Sequence, residues 1–279
     1  MKTLLLLLTL SIHTLFATPL HTVVSIVPEK QILQHLGGEY VDVTVMVQAG
    51  NSPHTYEPKP SQMLAIHQAQ LYFAMGVEFE HRWLPKFQSL NPSMKIIDLS
   101  QGIEKRTIQS HKGHTTHQRL DPHIWTTPEN IAKIGKTMTQ ALIEADPKHR
   151  HYFETHLQTL IEQTQRVDKT IRNILAPLQD NRSFMVLHPS WGYFAHAYGL
   201  KQIAVEIEGK EPKPKALVHL IQEAKAQKVH AIFVQPEFSD QSAQIIAHTL
   251  HIPVRKISPM APSWSQNLQT IAKAIAGKE

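Results

Sequence analysis

A long helical segment, DPKHRHYFETHLQTLIEQTQRVDKTIRNILAP at residues 146–177, decides the architecture that we expect for this chain. Asp146-Pro147 is a typical helix start, and apolar residues then recur with a period near 3.6 until Pro177. A helix of about 28 residues would be roughly 42 Å long at 1.5 Å per residue, which exceeds the usual helix of a small domain. Because there is only one apolar stripe, a connecting helix between two lobes is a better interpretation than a coiled-coil arm. The stripe consists of Tyr152, Phe153, Leu157, Leu160, Ile161, Val167, Ile171, Ile174 and Leu175.

Strand and helix patterns alternate on both sides of this segment, which is typical of parallel sheets covered by helices. The fold class that we predict is therefore α/β, with two parallel-sheet lobes joined by one long rigid helix and a ligand site in the cleft between the lobes. The expected boundaries are 18–145 for the N-terminal lobe, 146–177 for the linking helix and 178–279 for the C-terminal lobe. Strands are predicted at residues 21–27, 41–47, 71–75, 95–99, 184–187, 202–207, 231–234 and 254–257.

Residues 1–17 have the pattern of a cleaved export signal. Lys2 gives a basic start, an apolar run follows from Leu4 to Phe16, and Ala17 provides a small residue at the end. The run is too short to span a bilayer comfortably. We expect cleavage after Ala17, although Leu15 is not the ideal residue three positions before a cleavage site; a buried N-terminal helix is the alternative.

The chain contains 19 histidines and no cysteine. The absence of cysteine excludes disulfides and thiolate metal ligands, and it also excludes the lipid-anchored type of bacterial export signal. We therefore expect a protein of the periplasm, with any metal held by nitrogen and oxygen atoms. The net charge of +5 is spread along the chain without the basic and aromatic clusters of a nucleic-acid surface, so no nucleic-acid partner is expected.

Three histidines stand in polar and aromatic motifs that are far apart in the sequence. His54 lies in NSPHTYEP (51–58), His123 in DPHIW (121–125) and His188 in LHPSWGYF (187–194). Each lies after a predicted strand or just before a predicted helix, so all three can face the same cleft. Neutral imidazole is the commonest protein ligand for zinc and related ions. The sequence therefore predicts one metal site built from these three residues.

A histidine-rich loop is predicted at residues 105–120. His111, His114 and His117 are three residues apart within it, and the segment has no apolar periodicity. One interpretation is an accessory, low-affinity metal collector near the mouth of the cleft. The other is a solvated loop that happens to be rich in histidine.

Five segments together resemble one protein family. GNSPHTYEPKP (50–60), DPHIWTTPEN (121–130) and HPSWGYFAHAYGL (188–200) look like its three hallmark motifs, and EPKPKAL (211–217) and IFVQPEFS (232–239) resemble its C-terminal lobe. The family is that of the periplasmic metal-binding proteins of zinc and manganese ABC importers, and the match runs in order through the mature chain. The resemblance implies two α/β lobes bridged by a rigid helix, with the metal buried between them.

The resemblance also implies which residues hold the metal, namely His54, His123 and His188. Manganese-type members usually place a carboxylate where His188 stands, and imidazole at this position favours zinc because manganese prefers oxygen donors. A histidine-rich loop before the second ligand is similarly a feature of the zinc type, which is ZnuA-like. We therefore expect zinc as the transported ligand.

The fourth ligand is where this chain departs from the family pattern. Many relatives have Asp on the last strand, whereas Ser258 stands here within KISPM (256–260). A neutral hydroxyl is a poor zinc ligand, so we expect three imidazoles with a water, or with a carboxylate from elsewhere such as Glu57 or Glu237. Asp121 is expected either to hydrogen-bond a ligand imidazole or simply to cap a turn.

The function implied by the resemblance is capture of zinc and its delivery to the membrane permease of an ABC importer by a monomeric binding protein. Binding of manganese or another divalent metal in the same transporter class is the first alternative. A three-histidine zinc hydrolase is the second, but the sequence contains neither His-Glu-x-x-His nor Gly-x-Ser-x-Gly. We therefore do not expect an enzyme.

Overall fold

Two parallel sheets of four strands each form the frame of the molecule. The computed structural model describes residues 18–108, 120–178, 182–206 and 210–278, and the statements that follow concern those residues. The first sheet contains β1 (Leu20–Ile26), β2 (Val41–Val47), β3 (Leu71–Ala74) and β4 (Lys95–Asp98), and the second contains β5 (Ser183–Val186), β6 (Lys201–Ala204), β7 (Ile232–Val234) and β8 (Val254–Lys256).

Both sheets have the same internal topology. Their strand orders are β2-β1-β3-β4 and β6-β5-β7-β8, and every neighbouring pair of these strands is parallel. The α/β fold class with two parallel-sheet lobes is thereby confirmed. Strand β2 has the predicted bounds because five of the seven residues in its sequence, VDVTVMV, are β-branched and most of the strand is buried.

Helices cover the two sheets. They are α1 (Val27–Gly37), α2 (Pro60–Gln68), α3 (Glu78–Leu90), α4 (Pro128–Ala145), α5 (Arg150–Leu175), α6 (Gly192–Ala197), α7 (Pro214–Ala226), α8 (Gln241–Leu250) and α9 (Trp264–Ile275). Thr127 caps α4, since its hydroxyl accepts a hydrogen bond from the backbone N–H of Asn130 at 3.2 Å. In the described part of the chain, no helix is both long and apolar enough to cross a membrane.

The long helix predicted from the opening segment is α5, which has 26 residues and is therefore about 39 Å long. One short 3-10 turn, Pro147–His149, precedes it. The helix packs against α1 and α4 of the first lobe and against α9 near the C-terminus. Its buried face carries Phe153, Leu160, Thr164, Val167, Ile171 and Leu175.

Helix α9 connects the two lobes and was missed by the sequence analysis. Its buried residues Trp264, Leu268 and Ile271 belong to the same apolar core as the first sheet and α5. The backbone N–H of Trp264 also donates a hydrogen bond to Gln31 Oε1 on α1 at 3.0 Å. A second, smaller apolar core lies entirely within the C-terminal half, between the second sheet and α7 and α8.

Candidate metal centre

The structure brings His54, His123 and His188 to one cavity between the lobes. His54 lies in the loop after β2, His123 directly precedes a 3-10 turn leading to α4, and His188 lies two residues after β5. His123 and His188 are 4% and 6% exposed. The cavity volume is about 20 Å³, which is room for about one particle of the size of water. Its walls are formed by Pro53, His54, His123, Trp125, His188, Gln235, Glu237, Phe238, Pro259 and Met260.

Two of the imidazoles already have the spacing of ligands to a common ion. The Nε2 atoms of His54 and His188 are 3.2 Å apart, and two nitrogens bound to tetrahedral zinc at 2.0–2.1 Å would be about 3.3 Å apart. The ring centroids of His123 and His188 are 5.3 Å apart. Among the described residues, no group of three or more His, Asp or Glu side chains is already arranged as a complete metal site. Binding one ion to all three imidazoles therefore requires side-chain movement.

A carboxylate stands behind each of the three imidazoles. Asp121 Oδ1 lies 2.7 Å from His123 Nδ1, and Glu206 Oε2 lies 2.8 Å from His188 Nδ1. Glu78 Oε2 lies 2.9 Å from Nδ1 of the third imidazole, that of His54, in an ion-pair contact. A carboxylate beside Nδ1 holds the ring proton on that atom, and this leaves the Nε2 lone pair free to bind a metal.

The fold explains the position of each carboxylate. Asp121 is two residues before His123 in a turn, where Oδ1 also accepts the backbone N–H of His123 at 2.9 Å. Glu206 lies two residues after β6, and His188 lies two residues after β5. Strands β5 and β6 are paired with Val186 opposite Ala204, so the two side chains are neighbours. Glu78 is the first residue of α3.

Sequence reasoning considered Asp121 but missed Glu78 and Glu206. Both stand just beyond the carboxyl end of a strand or at the start of the next helix, as do the histidines themselves. Acidic residues at such positions were the available signal, because the carboxyl ends of neighbouring parallel strands meet at the same edge of a sheet.

The surroundings of His188 favour the neutral imidazole. Burial lowers the pKa of His188, and the hydrogen bond to Glu206 opposes this effect only in part, while the nearby His123 and His54 lower it further. The ring also stacks on Phe238, with centroids 5.1 Å apart. A buried neutral imidazole has little proton competition to overcome when it binds a cation.

Tryptophan and tyrosine side chains pack the interface around the cavity. Trp125, Trp191 and Tyr193 are buried. The indole Nε1 of Trp125 donates to the carbonyl of Pro259 at 2.9 Å, which connects the segment after His123 to the segment after β8. Tyr193 Oη accepts the backbone N–H of Arg106 at 3.2 Å.

Of the two carboxylates that were considered as a fourth ligand, only that of Glu237 lies at the cavity. Glu57 is away from the cavity: its side chain is 69% exposed and pairs with Arg82 at 3.0 Å. Glu237 forms part of the cavity wall. Ser258 does not stand alone, since its hydroxyl donates to Glu237 Oε1 at 3.0 Å. The histidines of the predicted loop, His111, His114 and His117, lie outside the described residues, as does the predicted export signal at residues 1–17.

Fold and cavity together define the class of the protein, a two-lobed α/β binding protein with a histidine-lined site between its lobes. The model of the family described as zinc-uptake complex component A, periplasmic, matches residues 22–277. The chain belongs to this family, whose members are solute-binding proteins of ABC importers and not enzymes. Such proteins bind a metal outside the cytoplasm and deliver it to a membrane permease.

Individual relatives agree with this assignment. A solved crystal structure of ZnuA is 38% identical, with a TM-score of 0.88, and the match covers 93% of this chain and 99% of that chain. The high-affinity zinc uptake system protein ZnuA of Bacillus subtilis is 28% identical over 82% of this chain and 74% of its own length. The manganese-binding lipoprotein MntA of Halalkalibacterium halodurans is 24% identical over 73% of this chain and 67% of its own length.

Proposed function

We propose that this protein captures Zn²⁺ as its cargo, through His54, His123 and His188, and hands it to the permease of an ABC-type zinc importer. The observation that carries the proposal is the carboxylate behind each imidazole. These three pairs favour metal-binding Nε2 atoms in side chains that meet at one small cavity.

Zinc is favoured over manganese by the chemistry of the donors. Three imidazole nitrogens suit zinc, whereas manganese prefers carboxylate, carbonyl and water oxygens. The family description and the B. subtilis relative also concern zinc. Manganese remains the alternative cargo, because a relative named for manganese binding matches most of the chain.

We base the proposed cellular location and oligomeric state on the sequence. Residues 1–17 serve as a cleaved export signal, and the mature chain works in the periplasm as a monomer. Its partners are the zinc ion and the membrane permease, with no nucleic acid involved.

Titration calorimetry with zinc, manganese and nickel tests the proposed cargo. We expect one tight zinc site per chain, weaker manganese binding, and loss of the tight site in His188→Ala. His67→Ala is the matched control, because His67 is an exposed histidine near the end of α2. Tight zinc binding that survives in His188→Ala would overturn the proposed site, and tighter binding of manganese than of zinc would overturn the proposed cargo.

We also propose that His111, His114 and His117 form an accessory, low-affinity metal collector. Their spacing and their place in the sequence just before His123 support this role. Deletion of residues 111–117 should remove weak zinc binding at micromolar metal and leave the tight site intact. Unchanged stoichiometry at micromolar zinc would show that the segment is only a solvated loop.

A further inference from the structure

The cavity wall contains two buried oxygen atoms without a hydrogen-bond partner in the described part of the chain. They are Gln235 Oε1 and Glu237 Oε2, and both residues face the cavity that His54, His123 and His188 also line. A buried carboxylate or amide oxygen without a partner is unfavourable, because it has lost water and gained nothing in return. The usual explanation for such an atom is a water or an ion that completes its environment.

The two oxygens lie at an edge of the second sheet where ligands are expected. Gln235 directly follows β7, and Glu237 follows it by two residues. The amide of Gln235 is fixed, since its Nε2 donates to Ser190 Oγ at 2.7 Å and the residue is only 3% exposed. The segment after β7 is therefore held in place in the wall of the cavity that the three imidazoles also line.

Ser258 makes a hydrogen bond to the other oxygen of the Glu237 carboxylate, Oε1. Its hydroxyl donates to Glu237 Oε1 at 3.0 Å and accepts the backbone N–H of Met260 at 3.1 Å. The carbonyl of Ser258 in turn accepts from Asn267 Nδ2 at 2.8 Å. Since β7 and β8 are neighbours, the serine that follows β8 reaches across to the carboxylate that follows β7.

We propose that Glu237 supplies the fourth, anionic ligand of the captured ion through Oε2, while Ser258 positions the carboxylate through Oε1. The inference rests on the proposed function, because it concerns the same site. A ligand role for Glu237 explains why no carboxylate is needed at position 258, since the negative charge is supplied from the end of the neighbouring strand. Three neutral imidazoles and one carboxylate complete the tetrahedral set that zinc prefers.

The test is Glu237→Gln, which keeps the size of the side chain and an acceptor for Ser258 but removes the charge. In chelator competition with zinc, we expect the affinity to fall at least about tenfold while one ion is still bound per chain. Glu57→Gln is the matched control, because it removes an exposed carboxylate that is paired with Arg82 outside the cavity. Its zinc affinity should equal that of the wild type. Melting temperatures of the metal-free proteins check that both variants are folded.

Cobalt substitution distinguishes a direct ligand from a residue that only positions others. The visible absorption of bound Co²⁺ reports the donor atoms, so Glu237→Gln should change the spectrum and Glu57→Gln should not. If Glu237→Gln keeps wild-type zinc affinity and the wild-type cobalt spectrum, while His188→Ala loses the tight site, then the role of Glu237 is overturned and the proposed function stands. If His188→Ala retains the tight site, the proposed function itself is wrong.

Discussion

At the scale of single residues, metal binding at this site depends on the three histidines and on the carboxylates beside them. Sequence reasoning found the three imidazoles because each stands in a distinctive motif. It could not find Glu78 and Glu206, because their role depends on which strands are neighbours and in what register. The two-residue offset that places Glu206 beside His188 exists only once β5 and β6 are paired.

The carboxylate of Glu206 should contribute to zinc affinity without touching the metal. In Glu206→Gln the side chain keeps its size, but the imidazole loses the charge that makes Nε2 a better donor, so we expect zinc affinity to fall about 10–100-fold. Glu162→Gln is the matched control, since Glu162 lies on the exposed face of α5 opposite Arg166. Equal zinc affinities of the two variants in chelator competition would contradict this role.

Glu80 should make the stability of the metal-free protein depend on pH. Burial raises its pKa from 4.5 to about 7, against the opposing hydrogen bonds from Ser25, Met75 and Gly76. Between these two values the folded protein keeps a proton that the unfolded chain has lost. The stabilisation is therefore complete below pH 4.5 and declines as the pH rises to about 7.

Glu80→Gln should remove the loss of stability with rising pH that is due to Glu80, because the amide does not titrate. The wild type should lose about 3 kcal/mol more than the variant between pH 4.5 and pH 7, as measured by urea unfolding in the presence of a chelator. Parallel stability curves for the two proteins over this range would show that Glu80 ionises in the folded state as it does in the unfolded chain.

The helices and strands themselves were largely predictable from local patterns. Strand β2 was predicted at 41–47 and is found at Val41–Val47, and α5 was predicted with about 28 residues and has 26. Helix α9 was missed although a signal was present, since the Ser263 hydroxyl caps it by accepting the N–H of Gln266. What no local pattern could show is that α9 packs onto α5 and the first lobe, because that contact joins distant parts of the chain.

The packing of α5 gives a prediction for the stability of the whole fold. Leu160 is fully buried on this helix, so Leu160→Ala should lower the free energy of unfolding by about 2–5 kcal/mol through lost apolar burial and the cavity that remains. Leu64→Ala is the control, because Leu64 is 58% exposed and should change stability by less than about 0.5 kcal/mol. Similar urea midpoints for the two variants would mean that α5 is not part of the cooperative core.

At the scale of the whole molecule, several contacts hold the two lobes in a fixed relation. Helix α5 packs along the first lobe and against α9, the Trp264 N–H bonds to Gln31 on α1, and Trp125 bonds to Pro259 across the cavity. His54 and His188 come from different lobes, and their Nε2 atoms are already 3.2 Å apart. We infer that the metal is bound by side-chain and loop adjustment, without a wide hinge motion of the lobes.

Zinc should therefore stabilise the protein strongly while hardly changing its shape. A ligand that binds only the folded state adds about 2.7 kcal/mol at a free concentration 100 times its Kd, so the melting temperature should rise with zinc and return with a chelator. His188→Ala should lose this rise. The radius of gyration from small-angle scattering should be the same with and without zinc, because the lobes are already in contact at the site. A clear contraction on zinc binding would show that the lobes close by a hinge, and it would contradict the rigid connection that α5 and α9 provide.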